Sequence, residues 1–496
     1  MTSAEPTTGR RLLGAALAGA LVCGALGALL APAPATIGPE STGDPVLAER
    51  LRALAGDDGA HGLVASVTGD GTTVTAGVGD DGRGTPLDAS TPFEIGSVTK
   101  TVTGAVLADL ELGGVVRGTD RVRDVLPQRP WGPVGDVTLA ELASHRSGLP
   151  VDAGGAPLLL HNMANGFLGT PPVERTPEEV FAAADGATLG PRGEDVYSNL
   201  GFALLGQVLA ERTGTPYPQL VEQVVTGPLG MASTGLPGAP PTGAAVGHDL
   251  RDRPLHPWIS AGDAPAGIGV WSTVDDLVRY VGALDDPGSV VSAAAQPRFS
   301  SDLGRIGYGW ETLEEDDRTF LWKNGGSGGI RTSVLVEPAA DRAVVVFGNA
   351  DRGVDRIAVG LLDAPALFGD DSDGPGLVGW IQILLATVFP VYAGISVLVA
   401  ARGGWWATGP FRRPELVGAA GWALFFLVLS WARGDVAWAL LPFWVLGCAL
   451  AGAGLGIATV RWREAVLAPR AWWSAALGVL VGAGSLVAVV VSAALV

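Results

Sequence analysis

The chain has 496 residues, 48% of them hydrophobic and only 17% charged, with a mean hydropathy of +0.34. Its formal net charge is −18. So apolar a composition excludes a wholly soluble protein, and so acidic a one excludes binding nucleic acid or anionic lipid through a basic patch.

In chain order, the first apolar run is LLGAALAGALVCGALGALL at residues 12–30. Arg10 and Arg11 precede it, and APAPA follows, with small residues at Ala33 and Ala35. A charged start, an apolar core and an A-x-A site predict a signal peptide or an N-terminal anchor over 1–35. Residues 36–45, TIGPESTGDP, read as a linker, and 46–363 as one extracytoplasmic domain. Segment 36–375 carries 23 basic against 46 acidic residues. Cys23 and Cys448 both lie in apolar stretches, so that domain has neither disulfide nor thiolate metal site.

Within the domain, LVASVT and TTVTAGV flank Gly69-Asp70-Gly71 and predict a hairpin. A helix is expected over 97–112, burying Val98, Val102, Ala105, Val106 and Leu110. Thr138-Leu-Ala-Glu141 is a capping box for a helix stopping near Gly148. Thr176-Pro177-Glu178-Glu179 combines an N-cap, a proline at the first helical position and acids in the first turn. Leu200–Arg212 has helical spacing and ends before Gly214. Thr273 caps a helix over 274–285. Strand-like runs at 319–323, 330–336 and 343–349 precede a helix near 353–362. Strands at both ends with helices between them predict an α+β fold: an antiparallel sheet flanked by helices, with an inserted helical region.

After the acidic linker 364–375, residues 376–496 read as a transmembrane domain. Four helices are expected, at about 376–401, 416–432, 436–459 and 471–496, each near the roughly 20 residues that cross a bilayer. Ten of the fifteen tryptophans fall here, several at span ends. Loops 402–415 and 460–470 each carry three arginines, whereas Arg433-Gly434-Asp435 is neutral. The positive-inside rule then places both Arg-rich loops in the cytoplasm and the 36–375 segment outside.

Lysine occurs only twice, at Lys100 and Lys323; the other 30 basic residues are arginine. Ser97 and Lys100 sit three apart on one helix face, near a helix N-terminus that favours developing negative charge. A serine needs a base, and a lysine is one only if its pKa falls from about 10.4 toward neutrality, a cost of roughly 4 kcal/mol met by burial or a nearby cation. Arginine stays protonated and cannot serve. Lys323 could be that second cation, or could hold a substrate carboxylate. Tyr197 could shuttle a proton, and Asn199 could orient substrate or lysine.

Two decoys are set aside. Gly325-Gly326-Ser327-Gly328-Gly329 fits G-x-S-x-G, but a strand-like IRTSVLV follows it where that elbow needs a helix. His145 is read as structural, bonding carbonyls in the last turn of a helix. His61, His161, His248 and His256 show no metal-ligand spacing, so neither metal nor cofactor is expected.

Ser-Val-Thr-Lys, Tyr-Ser-Asn and Lys-Asn-Gly, in this order, resemble the three motifs of serine β-lactamases and penicillin-binding proteins. FEIGSVTKTVTG, LASHRSGLP, YSNLGFALLGQVLAERTG, GIGVWSTVDDL and IGYGW extend the resemblance to the class C β-lactamase and D-alanyl-D-alanine carboxypeptidase-like family over about residues 45–360. The resemblance implies Ser97 as acylated nucleophile, with Lys100 and Tyr197 as acid/base groups. It also implies Asn199, Lys323, Asn324 and Gly325 as substrate-binding residues, and an oxyanion hole from the backbone N–H groups of Ser97 and Gly326. Many non-lactamase members have histidine where this chain has Lys323, which points toward a carboxylate-bearing substrate. The expectation is a membrane-tethered serine hydrolase acting on a small-molecule or peptide substrate and held in lipid by its C-terminal helices. The alternative is a sensor that acylates without turnover and signals through those helices.

Overall fold

The computed structural model describes residues 5–31, 35–56, 59–152, 173–365, 367–368, 377–404, 410–433, 437–464, 466 and 472–495. Residues 35–370 form most of one compact unit; residues 1–34 and 371–496 form most of a second.

The first unit is built on a nine-stranded antiparallel sheet. In chain order its strands are β1 (Ser41–Gly43), β2 (Leu63–Gly69) and β3 (Thr72–Val78), then, after a two-stranded pair of β4 (Phe93–Glu94) and β5 (Trp271–Ser272), β6 (Phe299–Ser301), β7 (Gly304–Ile306), β8 (Glu311–Glu315), β9 (Arg318–Ser327), β10 (Ile330–Glu337) and β11 (Arg342–Gly348). The spatial order is β1-β3-β2-β11-β10-β9-β8-β7-β6. The two ends of the domain sequence thus meet at the β2–β11 pairing, where Ala65 faces Val346. Everything between β3 and β6 is the inserted, mainly helical region.

Alternation along the strands feeds two cores. Val64, Val334, Val345 and Phe347 pack toward the inserted helices Thr99–Leu112 and Asn199–Thr213. Leu63, Ala65, Leu335, Val344 and Val346 pack on the opposite face, against helices Pro45–Ala55 and Asp355–Leu361. Each such buried aliphatic or aromatic side chain contributes about 1.5–3 kcal/mol.

Both capping boxes form, at Thr138 with Glu141 and at Thr176 with Glu179. The Thr138 helix ends at Ala143, earlier than the sequence suggested, because His145 takes a left-handed φ of 59°. The helix expected over 97–112 begins as a 3₁₀ turn, Gly96–Val98, before the α-helix Thr99–Leu112. The strand expected at 319–323 runs on to Ser327, so the glycine-rich KNGGS continues the sheet.

The second unit contains helices Glu5–Leu30, Leu377–Arg402, Arg413–Arg433, Ala437–Arg461 and Trp472–Leu495. Among the described residues, four stretches are long and apolar enough to cross a membrane: Gly9–Leu30, Ile383–Arg402, Arg413–Ala432 and Leu440–Glu464. The last helix holds a shorter apolar stretch, Ala475–Val487, among the described residues. Small residues mediate the packing, as membrane helices favour. A Cβ on Gly421 would collide with the Gly478 backbone, and one on Gly447 with that of Pro390. Pro390 and Pro442 lie inside helices.

Candidate active site

Three segments converge at the sheet face covered by the inserted helices. The 3₁₀ turn Gly96–Val98 presents Ser97, and the helix after it points Lys100 inward. Gly96 has φ 52°, and a Cβ on it would lie 2.6 Å from Gly326 N. A Cβ on Gly325 would collide with Ile95 O and come within 2.9 Å of Ser97 N. Glycine at both places lets β9 and the Ser97 turn approach backbone to backbone, and brings the amides of Ser97 and Gly326 into one neighbourhood. Thr332, paired with Gly325 on β10, secures the contact by donating to Ile95 O at 2.9 Å.

Lys100 is fully buried. Its Nζ donates to Ser97 Oγ (2.8 Å), Asn199 Oδ1 (2.8 Å) and Ala266 O (2.6 Å). An ammonium has three protons, and these acceptors take all of them. A neutral amine could keep the bonds to Asn199 and Ala266 and turn its lone pair to the Ser97 hydroxyl. Burial drives Lys100 down to about 7, opposed by the charge of Asp152. Lys100 is therefore poised near neutrality by desolvation.

Tyr197 stands on the other side of the serine, its hydroxyl 2.6 Å from Ser97 Oγ. Its ring lies between the two lysines, with Lys100 Nζ 5.0 Å and Lys323 Nζ 5.4 Å from the ring centroid. Ser198 caps the helix Asn199–Thr213 by accepting from Gly201 N, and that cap sets Tyr197 before the helix and Asn199 at its first position. His145 supports this corner. Its Nδ1 accepts from Ser198 N at 3.1 Å, and its ring packs 4.4 Å from that of Tyr197. Burial, helped by the charges of Lys323 and Lys100, holds His145 well below its usual pKa, so it is neutral. Its bond is thus to a backbone N–H, not to the carbonyls expected from its place after a helix.

Lys323 Nζ has no hydrogen-bond partner among the described residues. Burial lowers its pKa, the neighbouring Tyr197 raises it, and Lys100 lowers it further. The next residue faces the other way: Asn324 Nδ2 donates to Asp355 Oδ2 at 2.9 Å, on the opposite side of the sheet. The structure therefore gathers Ser97, Lys100, Tyr197, Asn199, Lys323, Gly325 and Gly326, but directs the Asn324 side chain away. Ser327 is buried in the β9–β10 hairpin, where no helix follows it. Ala266 O and Asp152 were missed in the sequence. A backbone carbonyl carries no residue signature, and Asp152 lies in no motif.

The description "Beta-lactamase" belongs to the family model that matches residues 47–367. Among curated relatives, the D-alanyl-D-alanine-carboxypeptidase/endopeptidase AmpH of Escherichia coli K12 is 28% identical over 272 residues, covering 49% of this chain and 67% of that protein. A β-lactamase of Pseudomonas fluorescens is 25% identical over 271 residues, covering 53% and 70%. Among solved structures, a β-lactamase/D-alanine carboxypeptidase of Pseudomonas syringae matches with a TM-score of 0.54 at 19% identity, covering 64% of this chain and 99% of that one. That likeness is one of fold.

Proposed function

The chain belongs to the β-lactamase family of serine hydrolases, and we propose that it is a membrane-tethered, extracytoplasmic member working through a Ser97 acyl-enzyme. The observation that carries this reading is Lys100 Nζ 2.8 Å from Ser97 Oγ, with its pKa lowered to about 7. Neutral Lys100 takes the Ser97 proton as Oγ attacks the substrate carbonyl. The N–H groups of Ser97 and Gly326 stabilise the oxyanion. Tyr197 hands a proton to the leaving nitrogen or oxygen as the scissile bond breaks, and is reprotonated from Lys100. Water then attacks the ester, releasing the acid and restoring Ser97. Asn199 orients the substrate, and Lys323 pairs with its carboxylate.

The substrate class is a carboxylate-bearing peptide, amide, ester or β-lactam. A terminal D-alanyl peptide of the cell wall fits both the relatives' printed activities and an enzyme held at the outer face of a membrane. In this arrangement residues 46–363 are the catalytic domain, 36–45 and 364–375 are linkers, and 376–496 span the bilayer four times. The arginine-bearing loops face the cytoplasm.

The test incubates the detergent-purified full chain with a fluorescent penicillin and with a D-alanyl-D-alanine peptide, following labelling, intact mass and alanine release. Covalent labelling of the wild type and its loss in Ser97→Ala are expected. Unimpaired hydrolysis by Ser97→Ala would refute the mechanism.

A further inference from the structure

Two of the acceptors of Lys100, Ala266 O and Asn199 Oδ1, each have an acid close by in the chain. Ala266 closes the 3₁₀ turn Ala264–Ala266, and Asp263 begins it, its carbonyl accepting from Ala266 N at 2.9 Å. Gly267, at φ 115°, follows so near the Ser97 turn that a Cβ on it would collide with Gly96 O. On the other side, Asn199 N donates to Val151 O at 2.9 Å, and Asp152 is the next residue.

Arg175 joins these two acids. Its Nε lies 3.1 Å from Asp263 Oδ2 and its Nη2 3.9 Å from Asp152 Oδ1. Its main chain is bonded to the same loop: Arg175 N donates to Ser260 Oγ at 3.0 Å, and Arg175 O accepts from Gly262 N at 2.7 Å. Ser260 Oγ donates in turn to Asp263 Oδ2 at 2.8 Å. The side chains of Arg175 and Asp263 are only 14% and 8% exposed, where a charge is costly unless paired. Ionised, one arginine and two carboxylates leave one net negative charge beside the base. The other ionisable groups around Lys100 are Tyr197, Lys323 and His145, none of them a carboxylate. Glu179 also faces Arg175, but it is exposed. Among the described residues, Asp152 supplies the negative charge that favours the Lys100 ammonium.

We propose that Asp152, Arg175 and Asp263 are positioning residues for acylation: standing behind two acceptors of Lys100, they set, by the balance of their charges, the pH at which that lysine becomes a base. The proposal rests on the reading of Lys100 as the base for Ser97. The carboxylates stabilise the ammonium, and the guanidinium offsets them. Loss of a carboxylate therefore frees the amine at lower pH, and loss of the guanidinium delays it to higher pH. The loop has further ties, because Thr103 Oγ1 donates to Pro265 O at 2.8 Å and Gln207 Nε2 to Gly262 O at 3.0 Å. Removing one charge thus leaves Ala266 O seated, and the change reports the charge.

The test measures acylation of the detergent-purified full chain by a fluorescent penicillin or a chromogenic ester from pH 5 to 9. The midpoint of the profile should fall by about 0.5–1 pH unit in Asp152→Asn, less than the roughly 1–3 of a carboxylate in direct contact, and rise by about as much in Arg175→Met. Asp263→Asn should shift it in the same direction as Asp152→Asn. At pH 5.5 acylation should then be about 3–10-fold faster in Asp152→Asn and about 3–10-fold slower in Arg175→Met, following the fraction of neutral amine. Arg175→Lys keeps the charge and should keep the wild-type midpoint. A merely structural role would lower the plateau and leave the midpoint in place, and that result in Asp152→Asn overturns the proposal. Asp152 is 37% exposed, so its variant decides the matter if Arg175→Met fails to fold. A flat wild-type profile would strike Lys100 as the base and this proposal with it, whereas a titrating wild type with unmoved variants would strike the proposal alone.

Discussion

Lys100 Nζ and Ser97 Oγ are hydrogen-bonded at 2.8 Å, and the lysine's two other acceptors, Asn199 Oδ1 and Ala266 O, lie at 2.8 and 2.6 Å. The direction of the Lys100 shift fixes the pH behaviour. Below about 7 the ammonium dominates and cannot accept the serine proton; above it the amine can. The acylation rate should therefore rise about tenfold per pH unit below 7 and level off above it. Lys100→Arg keeps a cation that never deprotonates, so it should acylate at least about 10²-fold more slowly at every pH. Stopped-flow measurement with a chromogenic β-lactam or ester checks both points. A wild-type profile flat from pH 5 to 9 would remove Lys100 as the base.

Adjacent residues on β9 should separate cleanly. Lys323 lies toward Tyr197, whereas Asn324 is bonded to Asp355 across the sheet. Lys323→Ala should raise KM for carboxylate-bearing substrates and leave neutral esters nearly unaffected. Asn324→Ala should cost about 1–3 kcal/mol of stability by removing a donor from a part-buried carboxylate, with little change in KM. Asp355 also accepts from Ser333 Oγ at 2.7 Å and Trp322 Nε1 at 3.1 Å, so it retains two partners and the cost should sit at the lower end. Michaelis–Menten kinetics beside urea denaturation distinguish the two outcomes, and a KM effect confined to Asn324→Ala would reverse the assignment.

Much of this arrangement was legible in the sequence. Two lysines in an arginine-rich chain and the S-x-x-K spacing marked Ser97 and Lys100, and helical spacing ending before Gly214 marked the Asn199 helix. The direction of Asn324 was legible too, because strand alternation sends Lys323 and Asn324 to opposite faces. A strand that ends at 323 hides this alternation, whereas β9 runs on to Ser327. The short β6, β7 and β8 carry no periodic signal, and their place comes from pairing in succession outward from β9. His61, ahead of β2, stacks on His248, whose N–H donates to Asn349 O beyond β11, a relationship no local spacing encodes.

Glu94 offers a test of stability against pH. It is buried beside the Ser97 turn, where it accepts from Trp258 N at 3.1 Å, and burial lifts its pKa to about 7. In the unfolded chain it ionises near 4.5. Between those values the folded state holds the proton and the unfolded state does not, so folding stability falls as pH rises through that window. The total is up to about 3 kcal/mol. Glu94→Gln keeps the shape without the titration, so its Tm should gain on the wild type from pH 5 to 8. A wild-type-minus-variant difference constant over that range would show that Glu94 titrates normally.

The membrane unit yields a last prediction, about the N-terminal segment. Helix Glu5–Leu30 packs on helix Ala437–Arg461 through small residues. A Cβ on Gly456 would collide with Ala15 O, one on Gly452 with Gly19 O, and one on Gly27 would come within 2.8 Å of Cys448 Cβ. That succession makes the helices antiparallel and brings Arg10 and Arg11 to the same end as Arg461, as the positive-inside rule requires of two segments sharing a cytoplasmic side. Trp444 Nε1 donates to Gly27 O at 2.9 Å. Cleavage near Ala35 would remove this acceptor and uncover the Gly452 face, so the segment should be retained as a fifth helix. Intact mass spectrometry of membrane-extracted protein should include residues 5–30, and Gly452→Leu should lower Tm in detergent by forcing the two helices apart. A mature N-terminus beyond residue 30, with Gly452→Leu as stable as the wild type, would show that the segment is discarded.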